Sequence, residues 1–530
     1  MLKPGRILYY IAYLLVAAIV FPFVRWYADN PDTFQYIDIA KKYLAGDWHY
    51  AVNGDWSPLI SWLLTVPLLL VSDDLLAFKL FQFLIGLFAL EQWIRLLPFT
   101  KLPDRWKFYL SLMIIPFLVN YSLLNCTPDL LFLALLVLLL NQLLKGSIFH
   151  DTKRVIIIGA TGALLYFTKA FGFPLFLALS TFAAIHAMKS AQFSGKSFLT
   201  LMAIFLVLSA CWIIPLSVHY GKFTLSEAGR YNASAGVAPS GQRLLPVLDD
   251  GLHVPPPHAT SAWERPSDFV SGETVTLFNN ATDYFQVIKR NLRSIYFYDF
   301  RNQAGIVLLI LLLIAALRSK LKEFLNERWV VLSLVFILIL YLGYSLILVH
   351  TRYTWINGLL MVLLSASLIN RNLPDRFDWA KTLLFFLLLL LAVKRPVKEI
   401  LFTTDSDISP DWLFKGVRNP FTTMQIMYRP DKALQNSMEE LKQHKTLIGN
   451  FASLKSGSTE RDDFTSALRI TRSIGGRYFG RVMQEGYTNQ LDELSALQID
   501  YLIAWRNEPW GERMPVYTDL SGIRIYAVKE

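Results

Sequence analysis

Apolar runs of membrane length recur from the first residues of this chain to about residue 393, and they constrain its fold more than any motif. A transmembrane helix needs about 20 mostly apolar residues, and its backbone polar groups must be hydrogen-bonded within the segment. Hydrophobic residues make up 54% of the chain. The sequence therefore predicts an α-helical polytopic membrane protein. The runs cover residues 7–24, 57–71, 75–95, 107–122, 128–144, 155–168, 172–188, 198–218, 304–317, 329–349, 354–370 and 381–393.

The run at 57–71 is too short to cross a membrane alone. It contains Pro67 and is followed by the acidic turn Asp73–Asp74. We expect it to dip into the membrane or to pack against the bundle without crossing. That leaves about 11 transmembrane helices, by the length that a span requires.

Basic residues in the short loops predict the orientation. With the N-terminus inside, the positive-inside rule places most of the basic loops in the cytoplasm, and the net charge of +10 then needs no nucleic-acid partner. The expected location is the inner or plasma membrane. The inner loops are 95–107, 145–154, 189–196, 318–328 and 371–381; the opposite side receives a first outer loop, 25–74, a large outer loop, 219–303, and the tail.

The tail has the pattern of a small soluble domain. We predict helices at 431–445 and 487–497, and strands at 446–452, 498–505 and 523–528. Such alternation indicates an α/β layer. The chain is thus divided into a transmembrane domain, residues 1–395, and an extracytoplasmic α/β domain, residues 396–530.

The first outer loop begins with a short helix that opens on Asp32. Tyr36 and Ile37 lie on its predicted apolar face, while Lys41 and Lys42 are expected to point away from it. Fixed acids beside a membrane are costly unless they have a function.

The rest of that loop completes a recognisable pattern. Gly46 ends the helix, an Asn53–Gly54 turn follows, and Asp55 stands just before Ser57–Pro58 and the next apolar run. This pattern resembles the first outer loop of the GT-C superfamily of membrane glycosyltransferases. It is most similar to the branch of protein O-mannosyltransferases and lipid A aminoarabinose transferases.

Other short motifs of that superfamily recur here in order. Pro128–Asp129 begins an apolar run, Thr168–Lys169 lies between two runs, and Arg352–Tyr353 follows His350 in a late turn. The predicted topology, which was derived from loop charge alone, places all of them at the outer face. Ionisable groups gathered at one membrane face are what a catalytic crevice requires.

The resemblance implies an inverting glycosyltransferase that takes a sugar from a polyprenyl-phosphate donor to an acceptor in protein, lipid or envelope glycan. Cations would neutralise the leaving phosphate, and one carboxylate would take the proton of the attacking hydroxyl. No cofactor is implied, and a divalent metal is possible but not favoured. The implied roles are Asp32 and Asp55 as catalytic acids, Lys169, Arg352 and Tyr353 as phosphate-binding groups, and Tyr36, Asp129 and His350 as substrate-binding groups.

Each assignment has a structural alternative. Asp32 and Asp129 stand at helix starts, where an acid can cap the helix or interact favourably with the helix dipole. For Asp129, capping is the preferred interpretation. Asp55 fits an ordinary turn. Lys169 and Arg352 fit side chains that reach the lipid headgroups. For the whole chain, a transporter or flippase of envelope-glycan substrates and a non-catalytic assembly subunit are the alternatives.

The topology is tested by cysteine labelling of intact cells, in a variant without Cys126 and Cys211. Cysteines at positions 240 and 450 should react with an impermeant reagent, because both lie in predicted outer segments. A cysteine at position 320 should react only after the cells are opened. The reverse pattern would contradict the predicted orientation.

Overall fold

Helices packed into a bundle make up most of the structure, with a small β-sheet near the C-terminus. The structure is a computed structural model. It describes residues 4–28, 30–146, 148–189, 193–235, 247–248, 251–270, 281–301, 304–318, 320–402, 429–442, 447–454, 463–482, 487–505, 514–520 and 523–528.

A helix occupies each predicted apolar run, and further helices lie between these runs and after them. They are α1 (Pro4–Val24), α2 (Asp32–Ala45), α3 (Trp48–Ala51), α4 (Pro58–Leu70), α5 (Asp74–Leu96), α6 (Asp104–Leu123), α7 (Asp129–Leu144), α8 (Thr152–Thr168), α9 (Gly172–Lys189), α10 (Gly195–Tyr220), α11 (Ala228–Ala235), α12 (Ala281–Ile295), α13 (Gly305–Leu317), α14 (Leu321–Leu325), α15 (Arg328–Ser345), α16 (Trp355–Asn372), α17 (Asp378–Phe402), α18 (Arg429–Leu441), α19 (Asp463–Ser473) and α20 (Tyr487–Ala496).

Within the described ranges, five of these helices, α1, α6, α9, α10 and α15, are long and apolar enough to cross a membrane, and the number rises to seven if two bent pairs each form one span. The polytopic membrane fold is therefore confirmed, while the count of 11 stays a prediction. Helix α4 has only 13 residues and turns by 119° into α5, which is the geometry of a broken span or a re-entrant segment.

Helix α7 forms the centre of the bundle, where it packs against α5 and α8. Nearly all of its side chains are buried. It is therefore apolar all round, as a helix without a solvent-facing side should be. Helices α8 and α9 approach closely where Gly162 faces Phe176, because a Cβ at Gly162 would come within 2.6 Å of that ring.

A buried lysine on α5 joins two helix ends. The Lys79 ammonium donates to the Val24 and Leu123 carbonyls, each at 2.6 Å, at the C-termini of α1 and α6. These carbonyls have no partner within their helices, and a cation at a helix C-terminus also interacts favourably with the helix dipole. Lys79 therefore holds the C-termini of α1 and α6 together.

The predicted α/β layer is confirmed as a five-stranded sheet of order β2-β1-β3-β5-β4. Strands β1 (Asn450–Leu454), β2 (Arg477–Val482) and β3 (Tyr501–Trp505) are parallel neighbours; β4 (Val516–Leu520) and β5 (Ile523–Ala527) are antiparallel to their partners. The expected strand at 446–452 begins later, at Asn450. The strand expected from 498 starts at Tyr501, because Gln498 occupies a turn with φ of 53°.

Two predictions from the pattern were incomplete. Helix α19 and strands β2 and β4 were not predicted, and residues 219–303, predicted as a large outer loop, contain helices α11 and α12. Phe285, Ile288 and Leu292 follow helical spacing in α12, a signal that the polar composition of the region concealed. Helix α17 continues through the predicted domain boundary to Phe402, and the boundary itself stays a prediction.

Candidate active site

Four charged side chains from separate elements meet at one end of the bundle. Asp32 begins α2, Asp129 begins α7, Lys169 follows the end of α8, and Arg352 lies in the turn before α16. The Arg352 guanidinium donates to Asp32 Oδ2 at 2.9 Å and lies 3.6 Å from Asp129 Oδ2. The Lys169 ammonium donates to Asp129 Oδ1. We call these four residues the ion cluster.

The ion cluster is largely removed from solvent. The exposed fractions are 12% for the Asp32 side chain, 3% for Asp129, 16% for Lys169 and 17% for Arg352. Two carboxylates and two cations make the group formally neutral, which is how charges are tolerated in a dry site. Lys169 and Arg352 are therefore inward-facing side chains, and the interpretation that they extend to lipid headgroups is wrong.

Neither acid caps its helix. The Asp32 carboxylate accepts from Arg352 and from the Trp263 indole N–H at 3.2 Å, while Asn30 Oδ1 accepts the Asp32 backbone N–H. Asp129 accepts from Thr127 Oγ1 at 2.7 Å and makes no capping bond. The sequence located both helix starts, but the preferred interpretation of Asp129 as a cap is wrong.

The chain before Asp129 is fixed by three buried polar side chains of other elements. Gln82 Nε2 donates to the Thr127 carbonyl at 2.6 Å, and Thr33 Oγ1 donates to the Cys126 carbonyl at 3.0 Å. Lys79 holds Leu123, as described above. The position of the Asp129 carboxylate is therefore set by α2 and α5, and the site depends on the bundle that carries it.

Aromatic rings surround the cations. The Lys169 ammonium lies 3.8 Å from the Tyr353 ring centroid, and Arg352 Cζ lies 5.6 Å from it. Tyr344 stacks on Tyr353 with centroids 5.0 Å apart. The exposed His350 lies beside this group, 5.7 Å from Tyr353, and its Nδ1 accepts the Arg352 backbone N–H at 3.4 Å. Cation–π attraction favours this arrangement.

Tyr36 is buried on α2, with its ring 5.5 Å from Trp56. Burial raises the pKa of Tyr36 well above its usual value, and the nearby Asp32 and Asp129 raise it further. The phenol therefore remains a hydrogen-bond donor at neutral pH. This placement supports its predicted position next to the acids.

Asp55 belongs to a different group of contacts. Its carboxylate accepts from Ser267 Oγ at 2.8 Å, and among the residues that the structure describes it neither hydrogen-bonds nor ion-pairs with the ion cluster. Burial raises the pKa of Asp55 to about 7, which the Ser267 hydroxyl opposes and the nearby Asp268 and Glu227 reinforce. Asp55 therefore lies outside the ion cluster, and its role as a catalytic acid stays a prediction.

The partners that the large loop supplies were not predicted from the sequence. Trp263 was not among the predicted site residues, and Lys42 was expected to face away from the apolar side of α2. Lys42 is instead buried and bonded to Glu264. Burial raises the pKa of Glu264 to about 7, against the lowering effect of Lys42. No local pattern reveals such pairs, because their members are far apart in the chain.

No group of three His, Cys, Asp or Glu side chains in the described part of the chain is arranged to hold a metal ion. The acids of the ion cluster are occupied by cationic side chains instead. The chemistry that this arrangement offers directly is charge neutralisation by Lys169 and Arg352 next to a carboxylate.

The raised pKa of Asp55 predicts a pH dependence of stability. The folded state holds this proton more tightly than the unfolded chain, so the free energy of unfolding should fall as the pH rises from about 4 to about 7. Asp55→Asn should reduce the loss of Tm between pH 5 and pH 8 by about 2 °C in detergent. Asp104→Asn, at a side chain that is 98% exposed, is the control and should leave the loss unchanged. An equal loss in both variants would contradict the assignment.

Comparisons with known proteins give a likeness of structure only. No family model matches the chain, and no curated protein matches it by sequence. The crystal structure of ArnT from Cupriavidus metallidurans bound to undecaprenyl phosphate matches with a TM-score of 0.53 and 12% identity over 98% of each chain. Its apo structure matches with a TM-score of 0.50 and 12% identity, over 98% of this chain and 97% of that one. ArnT is a lipid A aminoarabinose transferase of the GT-C superfamily. The chain therefore has the fold of ArnT, as the resemblance of its first loop predicted.

Proposed function

We propose that this protein is an inverting glycosyltransferase of the inner or plasma membrane. It moves a sugar from a polyprenyl-phosphate donor to a hydroxyl acceptor at the extracytoplasmic face. The observation that carries the proposal is the ion cluster, in which Arg352 and Lys169 lie beside Asp32 and Asp129 at one end of an ArnT-like bundle. The bound undecaprenyl phosphate of ArnT supports a polyprenyl-phosphate ligand here.

Lys169 and Arg352 bind the donor phosphate. Arg352 Nε–H, which lies 3.6 Å from Asp129 Oδ2, and the Tyr344 hydroxyl are buried and have no acceptor at hydrogen-bond distance among the described residues. A buried donor without a partner costs free energy, and a phosphate oxygen would satisfy it. Guanidinium and ammonium groups suit this ligand, since charge-assisted bonds to phosphate are strong. Tyr353 holds both cations in place through its ring.

Asp32 is the general base. The acceptor oxygen attacks the anomeric carbon and gives its proton to the Asp32 carboxylate, while the bond from that carbon to the phosphate oxygen breaks. The phosphate leaves with the electron pair, and Lys169 and Arg352 neutralise the charge that gathers on it. A single displacement without a covalent intermediate inverts the anomeric configuration.

The remaining candidates bind and orient. Asp129 pairs with both cations, and the protonated Tyr36 phenol near the acids is available to donate a hydrogen bond to the substrate. His350 faces the exposed rim of the site. Asp55 orients the acceptor from the side of the large loop, through the group that includes Ser267.

The function is tested with purified protein in detergent and a panel of polyprenyl-phosphate-linked hexoses and pentoses. Free polyprenyl phosphate should appear when an extract of envelope glycans and lipids supplies the acceptor. If the protein only moves the lipid across vesicle membranes and leaves the sugar–phosphate bond intact, it is a transporter, and the proposal is wrong.

Removing either cation should weaken donor binding as well as turnover, because the ground-state donor already carries its phosphate charge. Lys169→Met and Arg352→Met should each lose about 1.5–3 kcal/mol of binding, roughly a tenfold to hundredfold rise in Kd for undecaprenyl phosphate. Titration calorimetry in detergent measures it.

Controls separate binding from folding. Lys169→Met leaves Asp129 with one partner fewer, so a Lys169→Met/Asp129→Asn double variant should recover thermal stability yet still bind the donor weakly. Lys101→Ala removes an exposed cation whose partner is Glu327 and should bind normally. Wild-type Kd values in both cation variants would contradict the phosphate assignment.

Asp32→Asn should abolish most turnover while donor binding persists. A general base contributes about 10²–10⁴-fold to the rate, and the amide cannot accept the acceptor proton. The helix should survive, since Asn30 and not Asp32 bonds the first backbone N–H. The measurement is kcat together with Kd for undecaprenyl phosphate. Should Asp32→Asn keep a large fraction of wild-type kcat while Asp55→Asn does not, Asp55 is the base.

A further inference from the structure

A segment of the large loop connects the β-sheet to the candidate base. This segment, residues 260–267, is called the strap. We propose that the strap positions the Asp32 carboxylate through the Trp263 indole, and that edge strand β2 of the C-terminal sheet holds the strap in place. The inference rests on the proposed function and assigns Trp263 as a positioning residue.

At the Asp32 end, each carboxylate oxygen has one donor among the residues that the structure describes. Arg352 donates to Oδ2 at 2.9 Å, and Trp263 Nε1 donates to Oδ1 at 3.2 Å. When Arg352 binds a donor phosphate, the Trp263 indole still donates to the Asp32 carboxylate and fixes its orientation. An indole N–H is neutral, so it orients the carboxylate without adding the positive charge that would weaken a base.

The Trp263 side chain is itself tightly held. It is 6% exposed, and its ring packs against Tyr231, Trp56 and Phe464 with centroid distances of 5.5, 6.0 and 6.5 Å. Phe464 belongs to α19 of the C-terminal domain. The indole therefore lies where the large loop, the first loop and the C-terminal domain meet, and each of them limits its rotation.

The next residue fixes the strap to the first loop. The Glu264 carboxylate is 1% exposed and bonds the buried Lys42 ammonium. The Glu264 carbonyl accepts from Asn53 Nδ2 at 2.7 Å and from Trp56 Nε1 at 3.0 Å. A backbone carbonyl with two side-chain donors leaves the strap little freedom on either side of Trp263.

The strap begins directly at the sheet. The Thr260 carbonyl accepts the Tyr478 backbone N–H at 2.7 Å, and Ser261 forms a parallel bridge with Tyr478. Just upstream in the loop, His253 N–H donates to the Phe479 carbonyl at 2.7 Å, and Leu252 bridges Gly480. Because β2 is an edge strand, its unpaired side is free for this addition. The loop therefore extends the sheet, and the strap leaves it at a fixed position.

The primary test is Trp263→Phe, which keeps a large ring and removes the N–H. A bond to a charged group is worth enough that kcat should fall roughly tenfold to hundredfold. The KM for the polyprenyl-phosphate sugar should stay within about twofold, since the phosphate-binding cations are unchanged. Trp93→Phe is the matched control, because it removes a buried indole bond to the Leu110 carbonyl, 3.1 Å, elsewhere in the bundle.

The two variants separate positioning from packing. Trp93→Phe should lower Tm and leave kcat unchanged. If Trp263→Phe keeps the kcat of the wild type, or loses no more of it than Trp93→Phe does, the inference is overturned. The proposed function fails separately, if the wild type itself consumes no donor.

A second variant tests the sheet end. A Cβ at Gly480 would come within 2.5 Å of the Gly251 carbonyl oxygen, and Gly480 has φ of 121°, so Gly480→Ala should push the loop off β2. We expect the same fall in kcat, with Kd for undecaprenyl phosphate unchanged. Wild-type kcat in a folded Gly480→Ala protein would overturn the role of β2. If this variant does not fold, the Trp263→Phe comparison decides the proposal.

Discussion

Charge neutralisation between two carboxylates and two cations is the interaction on which the candidate site depends. Unpaired charges would be too costly at an end of an apolar bundle, where the effective dielectric constant is low. Pairing Asp32 with Arg352, and Asp129 with Lys169, makes the group tolerable. The paired residues lie at the starts of α2 and α7, just after α8, and in the turn before α16. These ion pairs therefore hold the ends of the four elements together. Buried polar side chains of the bundle, such as Lys79 and Gln82, bind backbone carbonyls next to the site and fix the neighbouring helix ends.

Much of the membrane domain could be predicted from sequence because its signal is local. A run of apolar residues is sufficient to indicate a helix, whatever surrounds it. Asp32, Asp129, Lys169 and Arg352 were selected because they stand in the motifs that resemble the GT-C superfamily, and loop charge predicted that they share one side. The structure brings these four together. Residues 57–71 were recognised as too short for an ordinary span for the same local reason.

The remainder of the site depends on contacts between distant parts of the chain. Helix α2 seemed amphipathic in sequence, yet the strap and α19 cover its polar side, where Lys42 meets Glu264 and Asp38 meets Arg472. Capping was inferred for Asp129 because a helix start is visible locally, whereas Lys169, which binds its carboxylate, follows the end of another helix. Trp263 was overlooked since an aromatic residue in a polar loop has many ordinary explanations. In each case the role of the residue depends on a partner that is distant in the chain and that the local sequence does not identify.

The pairing of the large loop with β2 has a consequence for how the protein is made. Synthesis proceeds from the N-terminus, so the membrane helices and Trp263 emerge well before Tyr478, on which the strap is anchored. Until the C-terminal sheet has folded, the loop has no edge strand to join. A nascent or truncated chain without β2 would therefore lack the edge strand that anchors its large loop. The site can therefore be fully assembled only after the C-terminal sheet has been translated and has folded.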